Sequence, residues 1–210
     1  FQLKRDVEAM TQTTESFSVS VANVRKAYDA TKALDDVSLT VQAGEFLTLL
    51  GPSGCGKTTL LNLIAGFVQP DQGTICIDGE SVNELPPYRR SIGMVFQHYA
   101  LFPHMSVADN VGFGLKMRQV PKSEIAVRVK AALEMVRLGQ LGERRPRELS
   151  GGQQQRIALA RALVINPKVV LLDEPFSAID KNLRAEMQVE LKQIQQRLGI
   201  TTIFVTHDQS

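Results

Sequence analysis

No charge of one sign dominates this chain. Its 24 Lys and Arg are set against 22 Asp and Glu, leaving a net charge of +2. A nucleic-acid footprint needs a clustered basic excess; the short run "RRPR" at residues 144–147 reads as a solvated turn, so no nucleic-acid partner is expected. Cysteine is scarce. Cys55 and Cys76 stand alone, without a CxxC or any metal-ligand spacing, and read as reduced thiols of a reducing compartment. Long apolar runs are missing too. A membrane span needs roughly 18 to 20 apolar residues, and the best stretch, "IALARALVINPKVVLL", is broken by Arg161, Asn166, Pro167 and Lys168. The opening "FQLKRDVEAMTQTTES" has no apolar segment of the kind a secretory signal requires. Residues 1–16 are expected to form a loose, disordered tail, with Met10 a candidate start.

What remains is an ordinary globular composition: 210 residues, 43% hydrophobic and 22% charged. That suffices for one well-packed domain with a subdomain. Residues 16–24 ("SFSVSVANV") alternate as a half-exposed strand, and "VSLTV" at 37–41 can pair with it. "EFLTLLG" (45–51) is continuously apolar, as a buried parallel strand would be. A helix is expected from Lys57 to about Ala65, closed by Gly66, then strands at 74–79 and 91–97. Residues 98–160 contain no strand pattern. Helices are expected over Ser106–Arg118 and Ser123–Leu138, the second with Ile125, Val129, Leu133 and Val136 on one stripe and Gly139 as its stop. Strand character returns at "KVVLLDEP" (168–175), followed by a helix bearing Leu183, Met187, Leu191, Ile194 and Leu198 on one face, then "ITTIFVTH" (200–207). Such alternation predicts a parallel sheet flanked by helices.

"GPSGCGKTT" (51–59) lies between a predicted strand and a predicted helix, and it fits G-x-x-x-x-G-K-[ST]. Gly51, Gly54 and Gly56 let the backbone wrap so that successive N–H groups point inward at phosphate oxygens. The helix beginning near Lys57 adds the positive end of its dipole. Lys57 is expected to reach the β- and γ-phosphates of a nucleotide and the Thr58 hydroxyl to coordinate Mg²⁺. Ser53, Cys55 and Thr59 complete the same nucleotide-binding loop.

A metal held by one hydroxyl needs a carboxylate. The apolar run "VVLLDE" ends in Asp173 and Glu174. Adjacent strand residues point to opposite sides, which assigns the two carboxylates different tasks. Asp173 would complete the Mg²⁺ shell, and Glu174 would act on the attacking water as general base.

A second glycine-bearing turn occurs at "LSGGQQQRIALARAL". Ser150 is a good N-cap, Gly151 and Gly152 leave the first turn bare, and Ile157, Leu159 and Ala160 supply an apolar face with Arg156 and Arg161 outward. This fits a bare helix N-terminus able to hold an anion. It fits equally a plain N-cap whose glycines permit tight packing. Two such devices for one γ-phosphate make sense if two chains meet head to tail, each covering the other's nucleotide.

With these motifs in order, the sequence over about residues 17–210 resembles the nucleotide-binding domain of ABC transporters, whose signature is "LSGGQ". The resemblance implies a P-loop NTPase with a RecA-like, mostly parallel sheet. It also implies an N-terminal antiparallel β-subdomain and an inserted helical subdomain over 98–160, with 17–97 and 161–210 forming the rest. Tyr28 matches the aromatic that stacks on adenine. Gln97 matches the glutamine touching Mg²⁺ and the attacking water, His207 the histidine contacting the γ-phosphate, and Asp180 in "SAID" a residue reaching across the dimer. Ser150, Gly151, Gly152 and Gln153 would bind the partner's ATP. "YALFPHMSVADNVGFGLKMR" (99–118) is most similar to ATPases of binding-protein-dependent importers, the branch serving polyamines, ferric iron, maltose and sulfate. There the region from Gln97 to Pro103 docks transmembrane permease subunits, which receive solute from a binding protein, at the cytoplasmic face of the membrane. Family members continue past the histidine, so a C-terminal truncation is expected at Ser210.

The expected function is thus ATP hydrolysis that energises solute import, with ATP and Mg²⁺ as ligands. Two alternatives stand beside it: a soluble ABC-type ATPase working on nucleic acid or the ribosome, and a truncated module that binds ATP without turning it over alone.

Overall fold

The structure, a computed structural model, describes residues 16–176 and 181–207, the side chains of residues 181–183 excepted. The described residues fall into two compact units. One comprises the described parts of Glu15–Met94, Lys168–Glu174 and Gly199–Ser210; the other comprises Val95–Pro167 and the described parts of Pro175–Leu198.

The first unit carries β1 (Val19–Tyr28), β2 (Thr31–Val41), β3 (Phe46–Leu50), α1 (Lys57–Ala65), β4 (Gln72–Ile77), β5 (Glu80–Ser81), nearly all of β6 (Ile92–Val95), β7 (Val169–Asp173) and β8 (Thr201–Thr206). β1 and β2 form a hairpin in which Tyr28 faces Thr31, and β4 pairs antiparallel with β1 on its other side. The resulting antiparallel sheet runs β2-β1-β4-β5, and a second sheet runs β3-β8-β7-β6. In the second, β3 and β7 both pair parallel with β8. β7 is buried along its whole length, as its unbroken apolar run requires when both faces of a parallel strand are covered. One apolar cluster unites the unit: Val19, Val24 and Ile75 of the antiparallel sheet, Leu61 and Ile64 of α1, and Leu171 and Ile203 of the parallel sheet. Fully burying a side chain of this size is worth about 1.5–3 kcal/mol, so α1 is fixed by packing on both sheets.

The second unit is helical: α2 (Val107–Met117), α3 (Lys122–Met135), α4 (Gly151–Leu163) and α5 (Lys181–Leu198). Val111, Leu115, Val129, Leu133, Val136 and Ile157 form its central cluster. Of the stripe expected on α3, Val129, Leu133 and Val136 are buried and Ile125 partly so. The stop is elsewhere: α3 ends at Met135 with Val136 as its C-cap, and Arg137, two residues before Gly139, turns left-handed (φ 60°) and donates to Glu134 O. Other boundaries also differ from expectation: β1 runs Val19–Tyr28 and not over 16–24. β2 begins at Thr31, because the strand continues through "LDD" by register shifts at Asp35 and Asp36 that sequence alternation hides. β4 runs Gln72–Ile77, β6 stops at Val95, and α3 starts at Lys122 behind Pro121.

Candidate functional site

Parallel pairing aligns the C-terminal ends of the strands, because Leu50 of β3 lies beside Thr206 of β8 and Val205 of β8 beside Asp173 of β7. Three loops therefore leave one edge of the sheet, the place where open α/β sheets bind ligands. They are the glycine-rich loop after β3, Glu174 after β7 and His207 after β8.

The loop over Gly51–Gly56 opens directly into α1. Gly56 is the N-cap residue, in the left-handed region at φ 94°. A Cβ there would stand 2.5 Å from the carbonyl oxygen of Ala33 and 2.8 Å from Leu34 Cδ2, so only glycine lets β2 approach the loop this closely. Pro52, Ser53, Gly54 and Cys55 are exposed, while Thr59 is half-buried on the first turn of α1. The Lys57 ammonium donates to the backbone oxygens of Gly51 (2.7 Å) and Pro52 (2.8 Å) and lies 3.5 Å from Cys55 Sγ. Lys57 thus arches over its own loop, where a phosphate oxygen would meet both the ammonium and the first N–H groups of α1. Those N–H groups have no intrahelical partner. This donor set fits a nucleotide polyphosphate.

Thr58 Oγ1 donates to Asp173 Oδ1 at 2.9 Å. Asp173 is 7% exposed. Burial, with the neighbouring Glu174 charge, raises its pKa above the usual carboxylate value; the Thr58 hydrogen bond and Lys57 oppose the rise. No cluster of three or more His, Cys, Asp or Glu side chains able to hold a metal exists among the described residues. One hydroxyl and one carboxylate fit Mg²⁺, which keeps waters and takes substrate phosphate oxygens as its other ligands.

Glu174 does not obey the strand alternation expected of it. Its backbone is left-handed (φ 44°) just past the end of β7, although its N–H still donates to Val205 O at 3.0 Å. For a non-glycine residue this conformation is uncommon and costs about 1–3 kcal/mol. Turned this way, Glu174 Oε2 lies 3.0 Å from His207 Nδ1. The separate roles expected for the two carboxylates therefore rest on this backbone turn, not on alternation along a strand. Tyr28, 44% exposed, ends β1 at the hairpin tip, with Lys26 Nζ 5.6 Å from its ring centroid.

The remaining expected site residues lie in the helical unit. Ser150 is the N-cap of α4: its Oγ accepts from Gln153 N at 3.3 Å, and Gln153 Oε1 accepts from Ser150 N at 3.0 Å. Reciprocal capping occupies the Ser150 oxygen and the Gln153 side chain, and leaves the N–H groups of Gly151 and Gly152 at the open end of the helix. Gln97 is exposed in the turn after β6. Asp180 lies outside the described residues.

Three arginine and asparagine side chains were not anticipated. Arg161, expected outward, turns inward and donates to Tyr99 O and Ala100 O, each at 2.7 Å. Asn110, wholly buried on α2, accepts from Phe102 N and donates to Phe102 O. Arg90 is 3% exposed and donates to Leu63 O and Ile64 O at the C-terminal end of α1, and to Asn83 O and Leu85 O. Gly66, the C-cap of α1 at φ 86°, leaves it room: a Cβ there would lie 2.5 Å from Arg90 Nε. For Asn110, the available signal was a polar residue on an otherwise apolar helical stripe.

A strand, a phosphate-binding turn and a helix, with a serine/threonine and a strand-end aspartate joined beneath the loop, define a P-loop NTPase of the α/β class. The ABC transporter family matches residues 34–177, and the chain belongs to it. Over 195 residues it is 58% identical to the spermidine/putrescine import ATP-binding protein PotA of Oleidesulfovibrio alaskensis, covering 93% of this chain and 52% of that protein. It is 56% identical to the protein of the same description from Vibrio cholerae over 191 residues, covering 91% of this chain and 51% of that protein. The chain spans about half the length of the curated relatives it matches. Among solved structures, an ATP-binding cassette determined as a dimer in a post-hydrolysis state with ADP and Pi superposes with a TM-score of 0.81. That cassette is 36% identical, with 90% of this chain and 88% of that one covered. No helix among the described residues is long and apolar enough to cross a membrane.

Proposed function

We propose that this chain is the ATP-binding and ATP-hydrolysing part of an importer subunit that works at the inner face of a membrane. The observation that carries the reading is the meeting of Lys57, the Thr58–Asp173 pair and the Glu174–His207 pair at one sheet edge. In this reading the loop N–H groups and Lys57 bind the β- and γ-phosphates, and Tyr28 lies against adenine. Thr58 and Asp173 would hold Mg²⁺, with Gln97 the further ligand that the family resemblance implies, and the ion would draw electron density from the phosphate oxygens. Glu174 takes a proton from the water that attacks the γ-phosphorus in line; the bond to the β-phosphate oxygen breaks, and ADP and phosphate leave. His207 orients Glu174 and meets the γ-phosphate. The partner's Ser150, the partner's Gly151 and Gly152, and the partner's Gln153 close the site from a second copy docked head to tail, with Asp180 reaching across.

The surface near Gln97 to Pro103 receives the permease subunits, which take solute from a binding protein. The similar relatives are spermidine/putrescine import proteins, which favours a polyamine as that solute. Their names do not favour action on nucleic acid or the ribosome. ATP turnover by the chain tests the activity. Phosphate release abolished by Glu174→Gln with ATP affinity kept supports it; equal rates for both proteins sink it.

A further inference from the structure

We propose that Arg161 is the joint fixing the Gln97–Phe102 segment to α4, so that Gln97 and the Ser150 terminus move as one body; the catalytic consequence rests on the ATPase reading above, the geometry does not. The segment cannot hold its shape by local preference. Tyr99 and Ala100 are consecutive non-glycine residues with left-handed backbone, at φ 57° and 47°. For a bulky residue such as tyrosine this is an outlier conformation that persists only when its surroundings enforce it. The Tyr99 side chain is buried, and its hydroxyl has no hydrogen-bond partner.

What enforces the conformation is a planar fork. Nη1 of Arg161 donates to Ala100 O and Nη2 to Tyr99 O, both at 2.7 Å, and the guanidinium carbon lies 5.6 Å from the Phe102 ring centroid. Two parallel donors on successive carbonyls fix direction as well as distance, which a lysine cannot do. Burial lowers the Arg161 pKa, a desolvation that these fixed acceptors offset. Beyond Phe102, the buried Asn110 amide continues the anchoring through Phe102 N and O and Ser106 O.

The other end of the link is equally fixed. Arg128 donates to Val164 O at 2.8 Å and Arg118 to Ile165 O at 3.1 Å, pinning the C-terminal end of α4 to α3 and to the end of α2. Arg161 stands in the last turn of α4 and Ser150 caps its first. Eleven residues of helix, about 16 Å at 1.5 Å per residue, join them as a strut. A displacement of the 97–102 segment is thereby delivered to the signature terminus, and the reverse.

The test compares Arg161→Met, which keeps the stem but removes the fork, with Arg128→Met, whose guanidinium bonds Glu124 and Val164 instead. Hydrogen exchange of the chain reads the clamp directly. Amides of 97–102 should exchange about tenfold faster or more in Arg161→Met, with α3 still protected, and should be unchanged in Arg128→Met. In steady-state ATP hydrolysis, Arg161→Met should lower kcat about tenfold while KM for ATP stays within about twofold. Arg161→Lys, with its charge but no fork, should restore neither readout fully. Unchanged exchange at 97–102, loss of protection throughout the helical unit, or loosened exchange with kcat unaltered would each overturn the proposal. A wild-type chain without turnover sinks the ATPase reading instead, and exchange still decides the clamp.

Discussion

Thr58 and Asp173 are 115 positions apart, yet a 2.9 Å hydrogen bond joins them beneath the phosphate loop. Parallel pairing of β7 and β3 with β8 brings the two together, as the proposed Mg²⁺ site requires.

The burial of Asp173, which the Thr58 bond only partly offsets, has a measurable cost. Burial raises the Asp173 pKa, so the folded chain holds this proton more tightly than the unfolded one. Stability from this group is greatest below the unfolded value of about 3.9 and is lost as pH rises through the higher folded value. Asp173→Asn should therefore raise the melting temperature of the ligand-free chain at neutral pH. The gain should vanish near pH 3. The same variant should lose the Mg²⁺ dependence of its ATP affinity. A scan by differential calorimetry at both pH values, with titrations with and without Mg²⁺, checks both parts.

Glu174 stands turned toward His207, 3.0 Å away. Replacing a general base typically costs 10²- to 10⁴-fold. Glu174→Gln should reach that range in kcat, while ATP binds within about threefold of wild type. His207→Ala should lower kcat by less, because Glu174 keeps its own backbone turn through Val205. Rapid-quench phosphate release, alongside equilibrium ATP binding, measures each.

Gly56 and Lys57 are neighbours with separable duties. Gly56→Ala drives a Cβ toward the Ala33 carbonyl at φ 94°, which should cost about 3 kcal/mol of stability. Lys57→Met removes only an ammonium bonded to loop carbonyls. It should leave stability within about 1 kcal/mol and weaken ATP binding by roughly 10- to 150-fold, the worth of a hydrogen bond to a charged group. Urea unfolding and ATP titration of both variants distinguish the two.

Arg90 gives a purely structural prediction. Its guanidinium meets four carbonyl oxygens, two of them at the end of α1. Arg90→Met leaves these acceptors buried and should destabilise the fold by about 3 kcal/mol. Denaturant midpoints with unchanged slope would register it.

How much of this was legible in the sequence depended on the kind of signal. β7 and the loop before α1 could be read because an unbroken apolar run and spaced glycines have few structural alternatives. β2 was read short because Asp35 and Asp36 interrupt its alternation, while in the structure Asp36 turns left-handed and accepts from Asn23 Nδ2. Arg90 and Arg161 were illegible for a different reason. An arginine in a sequence reads as solvent-facing, and only folding reveals carbonyl oxygens waiting for it. The pairing of Glu174 with His207 was hidden as well, because a positive φ at a glutamate has no signature in the sequence.

In the proposed dimer, the Ser150 terminus closes a nucleotide site on a second copy. Light scattering on Glu174→Gln, with and without ATP in the absence of Mg²⁺, tests it most directly. The expected result is a monomer alone and a dimer with ATP, the dimer abolished by Ser150→Arg. A monomer that has bound ATP yet never dimerises would contradict it.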